Sequence, residues 1–568
     1  FIIFNTFSIV VAQRTREFGL LRAMGATGRQ ILGTVFVESV IVGFVASLVG
    51  LAAGFGIAAG LQVMLKAFGL DLPTTDLVFE PRTGLIAITV GVVVTVISAI
   101  GPARRAARIS PMAALRDASP QHTGFSRRRL VAGAAITLIG AALLAVGLFG
   151  SMDNAISFVG LGAAVIFFGV AALSPLFAGP LARLIGGPMQ AALNVPGKLA
   201  RQNSGRNPKR TASTAAALMI GLALVSMVSI FGASIKASTT EIFDETLRAD
   251  FIMTSSSTAG TTGISPEVAA GISEQDEIGS VASIRFGEFR LDGASRFLSA
   301  TDPDAIEQVT ALGVTEGDVS SLDEGEIFLS TEVAESENLS VGDELPMEFP
   351  KEGVAEVPIV GTFENTDLIG SDYLVSKGTF EQQYTTELDS VVLATVADGA
   401  STEQARAAVD NATTDFPNVT VENQAEFKDS QSAMVDQLLG LITALLALAL
   451  IIALLGITNT LVLAVFERTR ELGLLRAVGM SRRQARSMIR WESVIIAVIG
   501  AVLGLVVGGF FGWALVAALS DEGLGEFALP AGQLIAYVIA AGVAGIIAAI
   551  PPARRAAKLN VLEAIATE

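Results

Sequence analysis

Long apolar runs, separated by short basic stretches and interrupted by one long polar insert, dominate the pattern along the chain. A helix needs about 20 apolar residues to cross a bilayer. Such runs lie near residues 1–12, 31–62, 84–101, 130–149, 156–178, 212–234, 436–465, 488–519 and 532–550. The pattern predicts nine spans. The first starts at Phe1 without a basic n-region or cleavage site, so we expect an N-terminally truncated chain rather than a signal peptide.

One basic phrase occurs twice, each time directly after an apolar run. RTREFGLLRAMGATGRQ begins at Arg14, and RTRELGLLRAVGMSRRQ begins at Arg468. The similarity continues into the next spans, where ESV starts at Glu38 and at Glu492, and a GPARRAAR segment in the first half matches PPARRAAK in the second. Six predicted spans separate the two phrases, so both face the same side of the membrane. This predicts two parallel repeats related by an axis along the membrane normal.

Charge distinguishes the two sides of the predicted membrane protein. Most of the 38 Lys and Arg lie in the short loops on one side, which the positive-inside rule assigns to the cytoplasm together with the C terminus. Most of the 55 Asp and Glu lie on the other side, chiefly in the insert 236–432. The net charge of −17 therefore sums a basic inner face and an acidic outer domain, and it does not indicate nucleic-acid binding.

The polar insert has the size and pattern of an independent α+β domain. GEIFLSTEVAESENLSVGDELPMEF, followed by AEVPIVGTFEN, predicts a strand, a short helix, a Gly-Asp turn and further strands. The chain has no cysteine, and its single histidine, His122, lies in a polar linker. No GxxxxGK[ST] phosphate loop occurs. We therefore assign no catalytic, cofactor-binding or metal residue and interpret the many carboxylates as a solvated surface.

The repeated phrase predicts a short amphipathic helix on the inner membrane surface, with Phe18, Leu21 and Met24 near one face. An interfacial anchor needs apolar and basic residues in no particular order, whereas charged and glycine positions recur here in register. Shared ancestry of the halves also explains the repetition, so the anchor stays an alternative. The recurring positions are Arg14, Glu17, Gly19, Arg22 and Gly25 in the first copy and Arg468, Glu471, Gly473, Arg476 and Gly479 in the second.

Two carboxylates, Glu38 and Glu492, fall inside predicted spans. An acidic group within a membrane is a functional candidate. Both, however, lie only about two helical turns from the basic phrase. Interfacial water, Arg29 or Arg490 is expected to satisfy them there, and we favour a structural role.

NTFSIVVAQRTREFGLLRAMGATGRQI and its second copy resemble the FtsX-like/MacB-like permease family of ABC transporters. GEIFLSTEVAESENLSVGDEL with VPIVGTFEN is similar to the extracytoplasmic domain of such permeases. The resemblance covers residues 1–117 and 212–568. It implies four-span modules, each with a coupling helix between its second and third spans that docks on a cytoplasmic ATPase. The two phrases, at about 13–30 and 467–486, would be these coupling helices.

The implied fold is a mainly α-helical polytopic membrane protein with two parallel-repeat FtsX-like modules and an inserted α+β extracytoplasmic domain. The first module should need one more span before Phe1, with or without a second outer domain. The expected divisions are 1–117 for the C-terminal part of the first module, 118–211 for a linker with two extra transmembrane helices (130–149 and 156–178), 212–235 for the first helix of the second module, 236–432 for the MacB-like domain and 433–568 for the second transmembrane core. The extra pair belongs to neither repeat.

The resemblance implies a permease, or mechanotransmission subunit, of the bacterial plasma membrane. ATP and magnesium would bind a separate ABC-type ATPase dimer, and the work would be export or extraction of a hydrophobic, lipidated or peptide substrate. Besides the lipid bilayer, an extracytoplasmic protein is a candidate partner. One alternative is a non-transporting signal transmitter that regulates a cell-wall hydrolase. Another, an ion-driven secondary transporter, predicts paired intramembrane charges and broken spans at matching positions, and the sequence shows neither beyond the two glutamates.

Overall fold

The computed structural model describes residues 2–67, 80–108, 127–150, 155–255, 263–351, 353–364, 369–520 and 524–559. The predicted linker around His122 lies outside these residues. The chain divides into two compact units. The first contains Phe1–Phe231, Leu439–Ala518 and Leu529–Glu568, and the second contains Gly232–Leu438 and Leu519–Ala528.

Long helices form the N-terminal part of the chain. They are α1 (Ile2–Gln13), α2 (Thr15–Ala23), α3 (Gly28–Ala67), α4 (Pro81–Ala107), α5 (Arg127–Phe149), α6 (Ala155–Arg206) and α7 (Pro208–Thr246). Helix α6 is more than twice as long as its predicted span, and its backbone leaves helical geometry at Asn194 (φ 50°, ψ −120°). A Cβ atom on Gly197 would lie 2.2 Å from the Met189 carbonyl oxygen. The two parts of α6 therefore fold back on each other as a helical hairpin, which the sequence analysis did not predict.

One mixed sheet organises the second unit. Its elements are β1 (Phe251–Ser255), α8 (Pro266–Ser273), β2 (Ile278–Leu291), β3 (Ala294–Thr301), α9 (Pro303–Val309), β4 (Val314–Glu316), β5 (Ile327–Ser330), α10 (Thr331–Glu337), β6 (Glu344–Phe349), β7 (Gly353–Phe363), β8 (Tyr373–Ser376), α11 (Lys377–Gln383), β9 (Val391–Val396), α12 (Thr402–Ala412) and β10 (Val419–Asn423). The strand order is β10-β1-β9-β2-β3-β8-β5-β7-β4, and β6 pairs with β2 and β7.

The predicted strand–helix–turn–strand segment of the insert is confirmed by β5, α10, β6 and β7. Ser330 begins α10, because its hydroxyl accepts a hydrogen bond from the Val333 amide. The Gly-Asp turn follows, with Gly342 at φ 100°. The apolar side chains of this segment enter a core that includes Leu329, Leu345 and Ile359. The insert is therefore an α+β domain, as its alternating pattern indicates.

The C-terminal part of the chain is again helical, with α13 (Gln424–Glu467), α14 (Thr469–Ala477), α15 (Arg482–Ala518), α16 (Ala531–Ala548) and α17 (Ile550–Lys558). Across the described residues, eight helical stretches are long and apolar enough to cross a membrane. They correspond to eight of the nine predicted spans. The first predicted span forms the 12-residue α1, which is too short to count among the eight. The protein is a mainly helical, multi-pass membrane protein.

Close glycine contacts hold α15 against α7 in the first unit. A Cβ atom added to Gly504 would lie 2.8 Å from the Met219 carbonyl oxygen, and one added to Gly508 would lie 2.2 Å from that of Ala223. Small residues at such spacing allow two membrane helices to approach backbone to backbone. The approach buries α15, which carries the second repeat's long span, in the helical core.

The extra helix pair, α5 and α6, also packs through glycines. A Cβ atom on Gly140 would lie 2.6 Å from the Ile166 amide nitrogen, and one on Gly162 would lie 2.6 Å from that of Leu144. Leu144 and Ile166 share a hydrophobic cluster with Phe511 of α15. Helices α5 and α6 are thus closely packed, and they cover one side of the second module's core.

Candidate functional site

The first repeated phrase (14–30, hereafter repeat unit 1) folds as a short helix, a glycine turn and the start of a long helix. Helix α2 ends where Gly25 adopts the left-handed φ of 104°. The Gly25 amide donates to the Arg22 carbonyl at 3.1 Å, and the Ala26 amide donates to the Leu21 carbonyl at 3.0 Å. This paired closure satisfies the last carbonyls of a helix and favours glycine at the left-handed position.

The second phrase (468–484, repeat unit 2) repeats this geometry. Gly479 has φ 115°, its amide donates to the Arg476 carbonyl at 3.1 Å, and the Met480 amide donates to the Leu475 carbonyl at 3.0 Å. The predicted coupling-helix ranges, about 13–30 and 467–486, were therefore too long. Each short helix has nine residues, because the left-handed glycine ends it.

A reciprocal cap begins the long helix after each glycine turn. In repeat unit 1, Thr27 and Gln30 exchange hydrogen bonds between side chain and backbone. In repeat unit 2, Ser481 and Gln484 do the same. Such a capping box fixes the point where a helix starts. The sequence therefore specifies both ends of the turn, and the turn has the same local geometry twice.

Equivalent residues bury the underside of the two short helices. Phe18 and Leu472 are 1% and 4% exposed. The first cluster comprises Val11, Phe18, Ile31, Val35, Ala103 and Ala106, and the second comprises Val465, Leu472, Met488, Ile489, Ala553 and Ala556. The alanines come from the matching PARRAA segments of α4 and α17. Gly19 is buried next to Phe18, and Gly473 is buried next to Leu472.

The outer surface of each short helix carries exposed apolar side chains. Met24 is 77% exposed and Val478 is 88% exposed. The exposed sets are Leu20, Leu21 and Met24 in repeat unit 1 and Leu474, Leu475 and Val478 in repeat unit 2. The expectation that Phe18, Leu21 and Met24 share one face was wrong, because Phe18 packs into the protein while the other two point away from it.

In repeat unit 1 an ion pair joins the phrase to the long helix α3. Arg14 Nη1 lies 2.9 Å from Glu38 Oε2, and Arg14 Nε lies 3.0 Å from Glu17 Oε2. The hydrogen bond to Glu17, followed by the nearby charge of Glu38, raises the pKa of Arg14. Interfacial water or Arg29 was expected to satisfy Glu38, and the arginine that pairs with it is Arg14.

In repeat unit 2 the corresponding carboxylate is buried. The Glu492 side chain is 6% exposed and lies 3.4 Å from Arg468 Nη1, so Arg468 takes the place expected for Arg490. Arg210 at the start of α7 lies 4.0 Å from the same oxygen and 3.2 Å from Glu467. Arg210 was not predicted as a partner, because the basic stretch that contains it was interpreted as a topology signal under the positive-inside rule.

An arginine in the last turn of each short helix binds the end of the matching PARRAA helix. Arg22 Nη1 donates to the Ala107 carbonyl at 3.3 Å, and Arg476 Nη1 donates to the Leu559 carbonyl. A cation is favourable where a helix leaves its last carbonyls unpaired. Each unit is thus attached to α3 or α15 by a carboxylate and to α4 or α17 by an arginine.

Each repeat unit combines fixed contacts on one face with exposed side chains on the other. Among the described residues, no group of three or more His, Cys, Asp or Glu side chains is placed to hold a metal ion. Glu17 and Glu471 are exposed in the first turn of their helices, near the apolar tips. Each repeat unit therefore presents an apolar tip with one acidic group to solvent, on a base fixed to two long helices.

Two family models match the chain. The FtsX-like permease C-terminal model matches residues 1–111 and again 443–561, so each match contains one repeat unit. The MacB-like periplasmic core domain model matches residues 211–412. The chain belongs to the FtsX-like, MacB-like permeases of ABC transporters. The two FtsX-like matches are the two modules that the duplicated phrase predicted.

Related permeases are similar over different lengths. An uncharacterised ABC transporter permease of Mycobacterium tuberculosis is 21% identical over all of this chain and 68% of its own length. The ABC transporter permease YtrF of Bacillus subtilis is 34% identical over 21% of this chain and 30% of its own length. The macrolide export ATP-binding/permease protein MacB of Bdellovibrio bacteriovorus is 30% identical over 26% of this chain and 22% of its own length.

Proposed function

We propose that this permease is the mechanotransmission subunit of an ABC transporter and that a separate cytoplasmic ATPase dimer docks on its two repeat units. The observation that carries the proposal is the duplicated geometry of these units. Each presents exposed apolar side chains on a helix whose base is fixed to the long helices by an ion pair and an arginine cap. One chain then offers two docking sites to a dimer.

The attachment of each base argues against a membrane anchor as its main role. An anchor gains its affinity from apolar burial in the interface and attraction to anionic lipid, and neither needs the charged groups at the base to be paired. A lever needs such pairing, because a push on the tip must move the long helix rather than bend the turn. The paired Arg14–Glu38 and Arg468–Glu492 groups supply this connection.

The outer domain would receive the movement. Docked ATPase subunits that close on ATP bring the two short helices together, α3 and α15 carry the displacement across the bacterial plasma membrane, and the domain at 236–432 changes shape outside. The C terminus lies in the cytoplasm in this arrangement. MacB of B. bacteriovorus is described as a macrolide exporter, which supports export or extraction of a hydrophobic, lipidated or peptide substrate.

The test uses charge reversal at the exposed acids of both units. Glu17→Arg combined with Glu471→Arg places a repelled charge at the proposed interface, where disrupting a close charge pair costs roughly 2–5 kcal/mol. ATPase copurification should fall at least about tenfold, since about 1.4 kcal/mol corresponds to that factor. A matched control reverses two exposed basic residues, Arg127→Glu with Arg128→Glu, and should copurify normally.

Two results would count against this function. One is a Glu17→Arg, Glu471→Arg variant that inserts normally and keeps wild-type ATPase binding, which would leave the repeat units as anchors. The other is ATP turnover by the purified chain alone. Protease access to residues 236–432 from outside intact cells, with a C-terminal tag reached only after lysis, checks the proposed orientation.

A further inference from the structure

A basic pocket of about 940 Å³ lies between the α6 hairpin and the short helix α14. Its volume is at the upper end of the range of about 300–1,000 Å³ that small-molecule sites occupy. Four cationic side chains line it, and one carboxylate, that of Glu471, opposes them. The cations are Arg183, Lys198, Arg201 and Arg206. The side chains around this pocket therefore have a net positive charge.

The α6 hairpin builds the cationic wall. The turn at Asn194 brings Lys198 and Arg201, which follow the turn, to the same pocket as Arg183, which precedes it. Gly186 makes room for the stem of Arg201, because a Cβ atom there would lie 2.7 Å from Arg201 Cγ. Arg201 Nη1 donates to Gln190 Oε1 at 2.8 Å. The guanidinium group is therefore held in place by the fold.

Apolar groups adjoin the cations. Leu474, Leu475 and Val478 of α14 line the same pocket. Leu199 of the α6 hairpin lines it as well. The hairpin follows the membrane-spanning part of α6 and ends at Arg206, two residues before α7 begins. A site with cations, an apolar border and this position suits a molecule that has an anionic head and hydrocarbon chains.

We propose that this pocket binds the phosphate group of an anionic phospholipid. Basic pockets beside membrane helices bind such headgroups, and guanidinium groups pair with phosphate oxygens through two parallel hydrogen bonds. A soluble phosphate ester has the same headgroup chemistry, whereas only the lipid also has hydrocarbon chains that can contact Leu474, Leu475 and Val478. An acidic segment of a partner protein would be a different occupant.

The geometry also predicts a competition inside the pocket. Arg206 Nη1 lies 3.7 Å from Glu471 Oε1, and both side chains are more than half exposed. A bound phosphate group attracts Arg206 and repels Glu471. Removing the Glu471 charge should therefore strengthen phosphate binding, even though it deletes a pocket residue. The pocket shares Glu471, Leu474, Leu475 and Val478 with the proposed docking surface. The inference is tested on the chain without any ATPase, so its outcome is separate from that of the docking proposal.

The experiment titrates the purified full chain, in a non-ionic detergent and without any ATPase, with phosphatidylglycerol labelled on an acyl chain. Arg183→Gln with Lys198→Gln should weaken binding about 25-fold, at about fivefold for each charge removed. Glu471→Gln should tighten binding about fivefold by the same reasoning. The control, Arg127→Gln with Arg128→Gln, removes two exposed charges outside the pocket and should bind as the wild type does.

Competition identifies the source of the phosphate group. Unlabelled phosphatidylglycerol should displace the probe, while phosphatidylcholine should not. Displacement by glycerol phosphate or inorganic phosphate at equal concentration would assign the site to a soluble anion and uphold phosphate recognition. The proposal is overturned if pocket and control variants lose affinity equally, or if Glu471→Gln weakens binding. It is also overturned if the wild type binds no phosphate compound, and binding of an acidic peptide alone would then assign the pocket to a protein partner.

Discussion

Glu492→Gln should destabilise the permease far more than the equivalent Glu38→Gln. The Glu492 side chain is 6% exposed and faces Arg468 at 3.4 Å and Arg210 at 4.0 Å. Removing its charge leaves two partly buried guanidinium groups beside each other, and breaking a buried ion pair costs about 3–5 kcal/mol. Glu38 and Arg14 are 39% and 35% exposed. Water screens that pair, so its loss should cost about 0.2–1 kcal/mol.

The free energy of unfolding of the full chain in mild detergent measures this difference. Trp491 adjoins Glu492 and is one of only two tryptophans in the chain, so its fluorescence reports on unfolding near the buried pair. Arg468→Gln with Glu492→Gln should recover part of the loss, because the double variant leaves fewer unpaired buried charges. Equal losses for Glu38→Gln and Glu492→Gln would refute the reasoning, as would a loss below about 1 kcal/mol for Glu492→Gln.

Three further predictions concern other parts of the chain. Gly25→Leu with Gly479→Leu should cost about 1–2 kcal/mol of stability at each turn, because a side chain strains a left-handed residue, and should reduce ATPase copurification. Gly25→Asn with Gly479→Asn is the control that should retain copurification. Gly508→Leu should lower the melting temperature and separate α15 from α7, which faster backbone hydrogen exchange in both helices would show. Hydrogen exchange in this variant as slow as in the wild type would contradict the close packing. Hydrogen bonds from the Asn423 amide and then from Arg406 lower the pKa of Glu426. The contribution of Glu426 to folding stability is therefore present above its ordinary pKa of about 4.5 and is lost as pH falls through the lowered pKa. The melting temperatures of wild type and Glu426→Gln should therefore converge in acid.

Local pattern predicted much of this structure. Apolar length identified eight helices that can span a membrane, and alternation in the insert identified the strands around Ile327 and Leu345. The glycine turns could also be predicted from local sequence. Gly25 and Gly479 end their helices through hydrogen bonds to residues only a few positions away, so nearby sequence contains the whole signal.

Long-range pairing could not be predicted in this way. Glu38 on α3 pairs with Arg14 rather than with Arg29. This choice depends on how the start of α2 packs against α3. Arg210 reaches Glu492 from the first turn of α7, more than 250 residues earlier in the chain. These two pairings depend on tertiary packing that no local period records. The α6 hairpin is different, because Asn194, Pro196 and Gly197 form a local turn signal that the sequence analysis did not use.

The separate encoding of the two ion pairs has a consequence for how such a molecule evolves. In a homodimeric permease, one gene encodes both copies of a repeat unit, so every substitution appears twice. Here a single chain encodes the two repeat units separately, so a substitution at Glu38 or at Glu492 changes one unit only. Selection can therefore adjust the ion pair of one unit without touching that of the other.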